Sequence, residues 1–162
     1  MNHLLEAGLK RMLQEAFEGP PKPVTVSYFT NTKPDSGIFG VLSHLSAADV
    51  SKQIYGTTLA AHTDHIRYHM WGTNEWLYEG TFPTMDWNKS WEIHRVSEEE
   101  WLYIQAGLQH EYHRLLEKID HMEWNEDLAN EVVGSLAHSA YHLGAMQQML
   151  KCMKDTVNKK CI

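Results

Sequence analysis

Thr58-Leu-Ala-Ala-His-Thr-Asp-His-Ile-Arg-Tyr-His-Met70 and Ser135-Leu-Ala-His-Ser-Ala-Tyr-His-Leu143 decide both the fold and the chemistry of this chain. In the first stretch His62, His65 and His69 recur at helical spacing, behind a threonine (Thr57 or Thr58) placed to cap a helix start. Unrolled at about 100° per residue, the three fall within an arc of about 60° shared with Gly72 and Trp76, while Thr63, Arg67 and Asn74 take the opposite side. In the second stretch His138 and His142 stand one turn apart on one helix face. Two imidazoles so placed bind one divalent ion without distorting the backbone. A third from a facing helix leaves one or more coordination positions open, as a catalytic metal site requires.

Outward from these two helices the pattern stays helical. Leu4, Leu5, Leu9, Met12, Leu13 and Phe17 form an apolar stripe over residues 3–18, closed by Gly19-Pro20-Pro21. Residues 22–36 carry two prolines, Pro23 and Pro34, and form a long connection, with Val24 to Phe29 locally extended. Gly37 to Leu45 and Ala47 to Ile54 are expected as short helices, the second capped by Ser46. The first histidine helix runs to about Tyr78 and is closed by Gly80 and Pro83. Thr81 to Val96 is aromatic but aperiodic, with Trp87 and Trp91 four apart. Ser97-Glu-Glu-Glu100 is a capping box that opens a helix to about Asp120. The last helix starts near Asn125 or Glu126 and runs to about Lys154. The expectation is one all-α domain over residues 1–162, an up-down four-helix bundle with a long first crossover containing short helices.

Composition narrows the function classes. A chain of 162 residues with 43% hydrophobic content and six Trp can bury a sizeable core without disulfides. A net charge of −7 disfavours nucleic acid as the main partner, since phosphate binding needs clustered Lys and Arg. The one basic cluster, Lys154 to Lys160, reads as a solvated helix end. Cys152 and Cys161 do not make a secreted disulfide framework. No stretch approaches 18 uninterrupted apolar residues, and the expectation is a cytoplasmic protein without a membrane partner.

Eleven histidines must be sorted. On the third helix Trp101, Ile104, Leu108, Tyr112, Leu115 and Ile119 form a stripe about 80° wide. His110 points away from it and His113 flanks it, so both belong to the surface. His110-Glu-Tyr-His113 is not the zincin pattern, which needs histidines four apart. His62, His65, His69, His138 and His142 face inward, where an unpaired imidazole is costly. The inward cluster is either a metal site or a hydrogen-bonded polar core with Tyr68, Ser135 and Tyr141. Spacing alone does not choose among the three histidines of the first stretch.

The string Ala137-His-Ser-Ala-Tyr-His-Leu-Gly144 resembles the last-helix motif of the DinB/YfiT-like superfamily, and Leu59-Ala-Ala-His-Thr-Asp-His-Ile-Arg-Tyr-His69 resembles its second-helix motif. Asp86-Trp-Asn-Lys-Ser-Trp91 is similar to the connecting segment of its DinB-like members. The resemblance spans about Gly37 to Met153. It implies a four-helix bundle holding a divalent metal (Zn, Ni or Mn) on three histidines. The family's second-helix ligand, a histidine followed by an aliphatic residue, maps onto His65-Ile66. His69 is the runner-up and His62 a site-lining alternative. His138 and His142 map onto the last-helix pair. The resemblance also implies a homodimer, and a metal-dependent transferase attaching a low-molecular-weight thiol to a small-molecule electrophile. With water in place of the thiol, the same site supports hydrolysis. Glu131, two turns before His138, is positioned to orient an imidazole or to act as a base. The alternative is a non-catalytic, stress-associated or scaffold bundle with a structural or vestigial metal.

Overall fold

The computed structural model describes residues 3–23, 26–33 and 35–156. Val24, Thr25, Cys161 and most of the Lys154–Lys160 cluster lie outside them. Four long helices form the expected bundle: α1 (His3–Glu18), α4 (Leu59–Glu79), α5 (Glu98–His121) and α6 (Glu126–Thr156). The long first crossover holds two short helices, α2 (Ile38–Leu42) and α3 (Ala47–Val50), both shorter than the sequence pattern suggests. Tyr28 and Phe29 lie in a bend, and no residue from Val26 to Phe29 belongs to a strand.

The helix ends follow from local chemistry. The Thr58 hydroxyl accepts the Ala61 N–H at 3.0 Å, and Gly80 closes α4 at φ 72°, a left-handed conformation that glycine adopts without a steric penalty. Ser46 and Ser97 each complete a capping box, with Asp49 and Glu100 respectively. Asn125 Oδ1 accepts the Leu128 N–H at 2.8 Å at the start of α6.

Directions follow from which residues meet. Lys10 pairs with Asp120 at 2.6 Å while Glu18 accepts the Tyr112 hydroxyl, so α1 and α5 are antiparallel. Asn74 meets Glu111 and Glu75 meets Arg114, whereas Arg67 lies against Gly107, so α4 and α5 run in the same direction. His62 meets His142 and His69 meets His138, which makes α6 antiparallel to α4. The order is therefore up, down, down, up, and the second connection must travel the length of the bundle as well.

That second connection positions the site. It returns along α4 from end to start: Phe82 stacks on Trp76, Met85 lies over Gly72, Trp87 meets His69, Trp91 meets His62, and the Ile93 carbonyl accepts the Thr58 hydroxyl at 3.0 Å. A Cβ on Gly72 would lie 2.7 Å from the Met85 methyl, so a larger residue there would require the Met85 side chain to shift. By contrast, a Cβ on Gly134 or Gly144 would meet nothing within 4 Å.

α4 is buried on two sides. Thr63 and Asn74, opposite the histidines, are fully enclosed against α5, where Asn74 Nδ2 donates to the carbonyl and the carboxylate of Glu111 at 2.8 and 2.7 Å. The core proper runs through Leu13 and Phe17 of α1, Ile66 and Met70 of α4, Trp101 to Ile119 of α5, and Leu143 and Met146 of α6. All six residues of the expected α5 stripe are buried, and Phe17 stacks on Tyr112 with ring centroids 4.7 Å apart. Among the described residues no helix is long and apolar enough to cross a membrane.

The start of the first crossover is tied down by a buried acid. Glu15 Oε1 accepts the backbone N–H groups of Tyr28 and Phe29 at 2.6 and 3.0 Å and the Ser27 hydroxyl at 2.9 Å. Burial opposes its charge, but these donors together outweigh burial and hold the carboxyl below the usual glutamate range. A depressed folded-state pKa contributes stability that is fully present above the unfolded-state pKa and is lost as pH falls through the folded value. Glu15→Gln is therefore expected to cost about 1–2 kcal/mol at pH 7 and less at acidic pH, read by urea unfolding across that range. A constant cost from neutral to strongly acidic pH would refute this role for the charge.

Candidate metal centre

The five inward histidines of the sequence meet in one cluster between α4, α6 and the returning strap. His138 Nε2 lies 3.1 Å from His65 Nε2 and 3.2 Å from His142 Nε2. One ligand atom from each of these three residues lies within 4.8 Å of the other two. Two nitrogens bound to one ion at 2.0–2.1 Å are separated by about 2.8–3.4 Å for angles between octahedral and tetrahedral. The contacts about His138 fall within that interval.

Proton bookkeeping favours a cation at this point. The Ser90 hydroxyl donates its one proton to the Trp87 carbonyl at 2.7 Å, so at 2.7 Å from His65 Nδ1 it acts as an acceptor. His65 therefore carries its proton on Nδ1, and its Nε2 presents a bare lone pair. His138 Nε2 in turn faces two nitrogens while holding either one proton or one lone pair, so it cannot satisfy both. His138 Nδ1 is buried without a partner. One ion held by these three histidines would remove that conflict.

The remaining two histidines are neighbours of that trio. His62 Nδ1 lies 2.9 Å from His142 Nδ1; when His142 is the donor, its Nε2 is left bare toward His138. His69 stacks on His138 with centroids 3.9 Å apart, and its own Nδ1 is buried without a partner. Trp91 stacks on His65 at 4.2 Å and closes one side of the cluster. The polar-core partners do not take up the imidazoles. The Tyr68 hydroxyl accepts the Asp86 N–H, Ser135 Oγ has no hydrogen-bond partner, and Tyr141 is largely exposed.

Burial, reinforced by the neighbouring imidazoles, pushes His138 down to about 2, His142 to about 3, and His62 and His69 to about 4. His65 is also lowered by burial, against an opposing pull from Asp64. All five are thus neutral at physiological pH, the form in which imidazole binds a metal.

Glu131 stands elsewhere. It has no hydrogen bond to an imidazole, and lines a cavity of about 230 Å³ that it shares with His69 and Trp87. The groups that fix ring orientation are instead Ser90, for His65, and His62, for His142. Sequence reasoning did not single out Ser90, because it sits in a 3₁₀ turn (Lys89–Trp91) inside an aperiodic stretch; the nearest clue was the Trp87/Trp91 spacing. His110 and His113 are exposed on α5, as their helix positions require.

Comparison of the chain with protein-family models, with curated proteins and with solved structures returned no match.

Proposed function

We propose that this chain is a DinB/YfiT-like metalloprotein that holds one divalent ion on His65, His138 and His142 and transfers a low-molecular-weight thiol to an electrophilic small molecule. The observation that supports it best is the meeting of three Nε2 atoms, at 3.1 and 3.2 Å about His138, with no proton arrangement that satisfies both contacts. The three-histidine set accepts Zn²⁺, Ni²⁺ or Mn²⁺. A divalent ion bound there supplies Lewis acidity, lowering the pKa of a thiol at its open position toward neutrality.

The chain's own residues supply the rest. Ser90, anchored on the Trp87 carbonyl, holds the His65 ring with its Nε2 lone pair inward. His62 does the same for His142. Trp91, stacked on His65, keeps bulk water from one side of the cluster. In the reaction the thiol proton passes to solvent, sulfur bonds to the electrophilic carbon, and the leaving group departs with its electron pair.

The test uses untagged protein loaded separately with Zn²⁺, Ni²⁺ and Mn²⁺. Conjugation of cysteine and other small thiols to a chromogenic electrophile is measured, with His142→Ala as control. A metal-dependent rate at least about tenfold above the control is expected, a modest share of what such a centre contributes. Equal rates with every metal would overturn the transferase reading and leave a bundle whose metal is structural.

A further inference from the structure

The cavity beside the cluster is built from three elements. Gly72 and His69 come from α4, Phe82, Met85 and Trp87 from the returning strap, and Glu131 from α6. Its volume is about 230 Å³, room for an occupant of on the order of ten non-hydrogen atoms, given that a cavity of about 150 Å³ takes benzene. Met85 lies over Gly72 on the α4 side, and Phe82 is braced by stacking on Trp76 at 5.2 Å. It abuts the metal cluster through His69, which stacks on His138.

Its electrostatics are one-sided. Glu131 is half-buried and has no hydrogen bond or ion pair among the described residues, and no lysine or arginine lines the cavity. Burial pushes its carboxyl above the usual glutamate range, the mark of a charge lacking compensation. Around it stand two aromatic rings and a thioether, surfaces that attract an organic cation through ring quadrupole and polarisability. A neutral occupant would leave the carboxylate unmatched, and an anion would be repelled by it.

We infer that this cavity is a subsite for a small molecule bearing an ammonium group, with Glu131 as its counter-charge and Phe82 and Trp87 as its aromatic walls. The inference deepens the thiol-transfer reading by giving one reactant an amino group, and rests on that reading only for the occupant's role as a reactant. The occupant's charged end seats at Glu131, and the remainder extends past His69 toward the cluster.

Benzylammonium, benzyl alcohol and benzoate serve as probes, titrated calorimetrically into the full chain with and without Zn²⁺. Benzylammonium is expected to bind the wild type and to weaken at least about tenfold in Glu131→Gln, the loss expected for a charge-assisted contact. Phe82→Leu, which keeps the carboxylate, is expected to weaken it about two- to fivefold. Benzyl alcohol should not distinguish wild type from Glu131→Gln. Benzylammonium binding that is absent, or unchanged in a Glu131→Gln protein with wild-type melting, would overturn the subsite. Metal content read in parallel separates the two proposals. Bound metal without ammonium binding sinks the subsite alone, whereas ammonium binding in a wild type that takes up no metal sinks the centre alone.

Discussion

His138→Ala is expected to take metal content from about one ion per chain to none measurable. His138 is the member of the trio whose Nε2 contacts both others, at 3.1 and 3.2 Å. Without it, His65 and His142 remain on opposite helices as a two-ligand set, too few for firm binding of a divalent ion. The same loss is expected for His142→Ala and His65→Ala. His62→Ala should keep its stoichiometry and lose about tenfold in affinity, because His62 acts on His142 Nδ1 rather than at the focus. His110→Gln with His113→Gln should leave metal content untouched and change stability by less than about 1 kcal/mol, since both are exposed. Elemental analysis and competition with a chromogenic chelator give all of these values. Full metal content in His138→Ala would end the metal-centre reading. Loss in His62→Ala with retention in His65→Ala would move the α4 ligand from His65 to His62.

The buried faces of α5 and α6 could be read from the chain because each obeys a simple period. The α5 stripe from Trp101 to Ile119 is buried throughout, and the capping box at Ser97 fixed its start. The pair His138/His142 was legible because i and i+4 must share a face whatever the tertiary context. α4 was legible only on one side. Thr63, Arg67 and Asn74 look like a solvent face, yet Asn74 is enclosed because Glu111 of α5 supplies its partner, and no local pattern encodes a partner 37 residues away. The direction of α5 was hidden for a related reason. Residues 80–97 carry no period, so nothing in them announced a strap that travels back along α4 and makes two successive helices parallel. Glu131 shows the limit of face arguments. It shares a stripe with His138, but two turns of helix carry it past the cluster and into the neighbouring cavity.

The strap also carries the second large effect, since Ser90→Ala is expected to weaken metal binding about 10- to 100-fold, the usual cost of removing a group that orients a ligand. The Ser90 hydroxyl is committed as donor to the Trp87 carbonyl and is buried, so its lone pair faces His65 Nδ1 with no water to compete. Removing it frees the His65 proton to move to Nε2, which then cannot bind a metal, and leaves Nδ1 without its partner. The ring also loses the hydrogen bond at Nδ1 that holds its plane, although Trp91 still stacks on it at 4.2 Å. A purely structural role for Ser90 would instead appear as lower melting of the metal-free protein with unchanged affinity. Ser90→Thr, which keeps the hydroxyl, separates the two by restoring affinity toward the wild-type value. ¹⁵N chemical shifts of the His65 ring give the tautomer directly: Nδ1–H is expected in wild type and Ser90→Thr, and a mixture in Ser90→Ala. An unmixed Nδ1–H tautomer with wild-type affinity in Ser90→Ala would show that the strap covers the cluster without setting the state of its first ligand.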